Sequence, residues 1–84
     1  MPPVRIFDVE WDARNINHAT TDATMQEVTQ AIRNARLIYS NPNKHGSANS
    51  KLISETDGGR KLVIMGNYDP ATGVFRPITS WETK

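Results

Sequence analysis

Two turn signals in the second half of the chain constrain its fold more than any other feature. Asp57-Gly58-Gly59 and Asp69-Pro70-Ala71-Thr72-Gly73 cut the chain into Lys51–Thr56, Arg60–Tyr68 and Val74–Trp81. Each piece is rich in β-branched, aromatic or other apolar residues and reads as a strand. Loops of three and five residues close hairpins, whereas a parallel crossover needs a dozen residues or more. The strands therefore form an antiparallel meander, and a parallel α/β fold is disfavoured. Leu62-Val63-Ile64-Met65 is apolar on both faces, which places its strand centrally. Pro77 lacks an N–H donor and predicts an edge or a bulge.

The first half reads differently. Val4 to Trp11 alternates imperfectly and predicts a strand, barred from an earlier start by Pro2 and Pro3. Asp12 is placed to cap a short helix through about residue 18, with Trp11, Asn15 and His18 on one stripe. Thr24-Met25-Gln26-Glu27 has the capping-box pattern. Met25, Val28, Ala31, Ile32 and Ala35 then give one buried helical face, leaving Gln26, Thr29, Gln30, Arg33 and Asn34 toward water. Leu37-Ile38-Tyr39 reads as a short strand, and residues 40–50 as a long loop. The expected fold is a single α+β domain over residues 1–84. In it, an N-terminal strand and two helices pack on a three- to four-stranded antiparallel meander.

Composition narrows the chemistry. With no cysteine, disulfides, thiolate metal sites and cysteine nucleophiles are excluded, and a cytoplasmic location is expected. No apolar run is long enough to span a bilayer, and the start has no signal-peptide pattern. The phosphate-loop, dinucleotide-binding and His-Glu-x-x-His patterns are lacking, so neither cofactor nor metal is expected. Net charge is +1 but unevenly spread. Arg33, Arg36, Lys44, Lys51, Arg60 and Lys61 make the middle basic, with His45 among them, whereas Asp8, Glu10 and Asp12 make the start acidic.

One segment carries a resemblance. Val9-Glu10-Trp11-Asp12-x-x-Asn15-x-x-His18, followed by Thr24-Met25-Gln26-Glu27-Val28, resembles the opening of BrnT-like toxins. These are relatives of the RelE/ParE superfamily of type II toxin–antitoxin systems. Gly59-Arg60-Lys61-Leu62-Val63-Ile64-Met65-Gly66 and Val74-Phe75-Arg76-Pro77-Ile78-Thr79-Ser80-Trp81 resemble strands of that family's meander. The resemblance covers nearly the whole chain in element order. Two departures stand out. Thr21-Asp22-Ala23 occupies the place of the family's usual His-Gly-Val, and an arginine-rich helix after the last strand lies outside these residues.

The resemblance implies a metal-independent mRNA endoribonuclease with RNA and a cognate antitoxin as partners, no membrane association, and an open oligomeric state. In this chemistry the RNA 2′-OH attacks the adjacent phosphate, and the protein aligns, moves protons and stabilises charge. It implies His18, Arg60, Lys61 and Arg76 as catalytic candidates, with the three cations sharing a sheet face. Arg36, Lys44, Lys51 and Tyr68 are candidates for RNA binding, and Tyr39 and His45 are further candidates for the chemistry. A structural role competes for each. His18 on the Trp11–Asn15 stripe also fits a histidine bonded to the sheet, and Trp11 and Trp81 fit packing as well as base stacking. The alternative function is a non-catalytic relative serving as a protein-interaction or RNA-binding module. A third reading is a domain that pairs its edge strands.

Overall fold

The computed structural model describes residues 6–40 and 48–83. Its elements run β1 (Asp8–Val9), α1 (Ile16–Ala19), α2 (Met25–Asn34), β2 (Tyr39–Ser40), β3 (Ser50–Glu55), β4 (Lys61–Asp69) and β5 (Val74–Glu82). They form one five-stranded sheet in the order β1-β5-β4-β3-β2. From β2 to β5 every pairing is antiparallel, as the hairpin signals dictate. The sheet as a whole is mixed, which corrects the expected three- to four-stranded antiparallel arrangement. β1 joins β5 in parallel, with Asp8 opposite Val74 and Val9 opposite Phe75. Phe7 N–H donates to Gly73 O at 2.8 Å and Glu10 N–H to Phe75 O at 2.9 Å, extending that ladder. The physical reason is connectivity. The meander leaves one side of β5 open, and β1 satisfies its backbone groups there while the helices carry the chain to the opposite edge.

The reciprocal cap predicted for α2 is present. Glu27 N–H donates to Thr24 Oγ1 and Thr24 N–H to Glu27 Oε1, both at 3.1 Å. Such a cap contributes about 1 kcal/mol. Val28, Ala31 and Ile32 of α2 are buried against Leu52, Leu62, Ile64 and Phe75 of the sheet. Burying each of the larger side chains contributes roughly 1.5–3 kcal/mol. Met25, expected on this face, is exposed. The other side of α2 is less free than its periodicity predicts. Thr29 Oγ1 accepts from Trp11 Nε1 at 2.9 Å, Gln30 Oε1 accepts from Asp57 N–H, and Asn34 Nδ2 donates to Glu55 O and Asp57 Oδ1. These bonds hold α2 to the β1–α1 link and to the β3–β4 hairpin.

The short first helix also departs from expectation, beginning at Ile16 rather than just after Asp12. Asp12 and Asn15 form a reciprocal cap. Asp12 N–H donates to Asn15 Oδ1, while Asp12 Oδ1 accepts from the N–H groups of Arg14 and Asn15. Asn15, only 3% exposed, then reaches the sheet through Nδ2, which donates to Glu10 O and to Pro77 O at 2.7 Å. The sheet-bonded member of the predicted stripe is thus Asn15, and His18 is exposed.

Pro77 marks a bulge. Met65 faces Thr79 and Gly66 faces Pro77, so Ile78 is the extra residue of β5. Gly66 is required there, because a Cβ would press on the Arg76 carbonyl and lie 2.7 Å from the Phe75 ring. On the face away from the helices, Ile53, Val63 and Trp81 stand side by side across three strands. Ile53 is 45% and Trp81 40% exposed, so the tryptophan lies on the sheet face rather than in the core.

Candidate functional site

The candidate cations separate into different environments. Arg60 extends from the β3–β4 hairpin toward the helices. Its Nη1 donates to both oxygens of Glu27 at 2.8 and 2.9 Å, and its Nη2 to Glu82 Oε1 at 3.1 Å and Asp22 O at 2.8 Å. These partners join the start of α2, the hairpin and the end of β5. The Arg60 guanidinium, followed by the Thr24 backbone N–H, holds the Glu27 carboxyl below its ordinary range. Glu82 and Glu27 in turn strengthen the hold of Arg60 on its proton.

Arg76 lies on the opposite face of the sheet. It pairs with Asn67 across β4–β5, and its guanidinium meets the acidic segment after β1. Nη1 donates to Glu10 Oε1 at 3.1 Å and Asp12 Oδ2 at 2.5 Å, and Nη2 to Asp12 Oδ1 at 3.1 Å. Arg76, then the Arg14 backbone N–H, draw the Asp12 carboxyl down to about 2. Asp12 in turn raises the Arg76 pKa. Beside this cluster a depression of about 600 Å³ is lined by Glu10, Asn49, Asn67, Tyr68 and Arg76 among others.

Of the other described candidates, Tyr68 alone lines that depression. Lys61 is exposed at the start of β4, opposite Glu55. It is six positions along β4 from Asn67, the partner of Arg76, a distance of about 20 Å at roughly 3.3 Å per residue. The expected sharing of one face by Arg60, Lys61 and Arg76 fails at Arg60, which is taken up on the helix side, whereas Lys61 alternates onto the face of Asn67 and Arg76 but lies toward its far end. Lys51 stands between Tyr39 and Met65 on the open face. Arg36 is exposed beyond α2, next to a second depression of about 640 Å³ that Tyr39, Ile53 and Lys61 also line. His18 is exposed on α1. Tyr68, opposite Phe75, packs against the core. Lys44 and His45 lie outside the described residues.

Sequence reasoning passed over Glu10, Asn49 and Asn67. Glu10 had a signal, since it alternates with Asp8 and Asp12 in an acidic run that needs a cation. The two asparagines had none, because their meeting depends on long-range register. Among the described residues, no group of three or more His, Asp or Glu side chains is arranged to hold a metal ion. None of the described helices is long and apolar enough to cross a membrane. Comparison of the chain with protein-family models, curated proteins and solved structures finds no match.

Proposed function

We propose that this chain is a BrnT-like toxin component of a type II toxin–antitoxin system, acting as a metal-independent endoribonuclease. The observation that supports it is the contact of Arg76 with Glu10 at the mouth of a depression. A carboxylate and a guanidinium side by side can supply the base and the charge stabilisation that cleavage by an internal nucleophile uses. The Glu10 carboxylate accepts the proton of the RNA 2′-OH. The 2′-oxygen forms a bond to the adjacent phosphorus as the bond to the 5′-oxygen breaks. The leaving oxygen takes a proton from water. Arg76 donates to the phosphate oxygens as negative charge grows on them, with Nε–H still unused among the described residues. The products are a 2′,3′-cyclic phosphate and a 5′-OH. RNA is the substrate, and a cognate antitoxin is the neutralising partner.

A second reading is a non-catalytic relative of the same fold that binds protein or RNA. It is favoured by the carboxylate partners that Arg60 and Arg76 already have, and by a net charge of only +1. A domain relying on non-specific RNA affinity is ordinarily more basic.

Induced expression in bacteria without a neighbouring gene separates the two. Growth arrest with mRNA fragments ending in 2′,3′-cyclic phosphate, relieved by Arg76→Ala, is the expected result. Normal growth with intact mRNA overturns the toxin reading.

A further inference from the structure

Two side-chain amides beside Arg76 are oriented by the backbone. Asn67 Oδ1 accepts from the Asn49 N–H at 2.9 Å. Asn49 Oδ1 accepts from the Tyr68 N–H at 3.2 Å and from the Ser50 hydroxyl at 2.6 Å. A backbone N–H can only donate, so the amide atom receiving it is the oxygen in both residues. Each Nδ2 is thereby left on the other arm of its amide. Among the described residues neither Nδ2 donates a hydrogen bond. Both residues line the depression that Arg76 and Glu10 also line. The carboxylates there are engaged, Glu10 with Arg76 and Asp69 Oδ1 with the Ala71 N–H. What the asparagines offer a ligand is therefore a pair of NH₂ donors.

We infer that Asn49 and Asn67 select the nucleobase beside the scissile phosphate, and that they select a base presenting two neighbouring acceptors. Guanine does so with O6 and N7, and cytosine with O2 and N3. Adenine sets its N6 donor beside N1 and beside N7, with N3 turned away on the sugar edge, and uracil places its N3–H between two carbonyls. Bases of single-stranded RNA expose these edges for hydrogen bonding. The inference rests on the RNA-cleavage reading and adds a specificity to it.

The test uses the full chain and four labelled oligonucleotides of constant flank. Each carries G, C, A or U at one central position and a 2′-deoxy sugar there to block cleavage. Fluorescence anisotropy should show the G and C versions bound about 10-fold or more tighter than A and U, the scale of a bidentate base contact. Asn67→Asp and Asn49→Asp keep each accepting oxygen and replace the NH₂ donor by an acceptor. Their added charge weakens binding to all four strands, so the ratio is the readout. That ratio should collapse in either variant while the melting midpoint stays near wild type. A wild-type ratio near one, or a ratio that both variants leave unmoved, overturns the inference while leaving RNA binding intact. If one variant does not fold, the wild-type ratio and the other variant decide. Failure of the wild type to bind any of the four overturns the RNA reading itself, and this inference with it.

Discussion

Arg60 and Glu27 are 33 residues apart in sequence and 2.8 Å apart in space, and the carboxylate that Arg60 grips is the one that closes the cap of α2. One side chain thus joins the start of a helix to the β3–β4 hairpin. Arg60→Ala should lower the melting midpoint and leave the proposed RNA cleavage by the folded protein close to wild type. Added salt should narrow the difference, because partly exposed ion pairs are screened. Thermal melts at low and high salt, beside a cleavage assay, check both parts. Loss of cleavage with an unchanged midpoint would reverse the assignment.

Acid should unfold the protein partly through two carboxylates. Asp12 ionises at about 2 in the fold against an ordinary 3.8, and Glu27 also ionises below its ordinary 4.5. Groups with depressed pKa stabilise the fold above their unfolded values and lose that contribution as pH falls through the folded ones. The stabilisation is therefore complete above about pH 5 and disappears progressively toward pH 2. Arg76→Ala removes the largest cause for Asp12 and should flatten the acid limb. Urea denaturation from pH 6 to pH 2 measures it.

Asn15 is buried and bonds both Glu10 O and Pro77 O. Asn15→Ala leaves two carbonyls without their donor and opens the Asp12 cap, at a cost of about 2 kcal/mol. Asn15→Asp should cost more, because it points a second oxygen at those carbonyls. Linear extrapolation of urea melts gives both values.

Gly66→Ala should destabilise by about 2 kcal/mol, within the range for overpacking. The added methyl meets the Phe75 ring and the Arg76 carbonyl at the bulge. Because the backbone beside Arg76 must shift, the proposed RNA cleavage should fall as well. A variant as stable as wild type would show that the bulge relaxes freely.

In the proposed site, Glu10→Gln should lower the cleavage rate about 100-fold, the scale of a lost general base. His18→Ala should leave it near wild type, because His18 lies on α1 outside the depression. Single-turnover cleavage of a short RNA distinguishes the two. A rate lost with His18 and kept without Glu10 would invert the roles.

Much of the fold is legible locally. Thr24 and Glu27 announce the start of α2, and the two hairpin turns announce β3, β4 and β5, because caps and turns depend on residues a few positions apart. The parallel pairing of β1 with β5 is not legible, since Asp8 and Val74 find each other only after the meander has formed. The site divides in the same way. Arg76 stands out in sequence as a cation in a strand, but its partners Glu10 and Asp12 lie more than sixty positions away.

The sequence by itself determined the capped start of α2 and the meander of the C-terminal half. Only the tertiary structure decided which cations are taken up internally and which faces they occupy. It set Arg60 against Glu27 and Glu82, and Arg76 against Glu10 and Asp12. The reason is physical. Local structure follows backbone conformation and neighbouring hydrogen bonds, whereas an ion pair between β5 and the segment after β1 exists only once sheet register brings its two ends together.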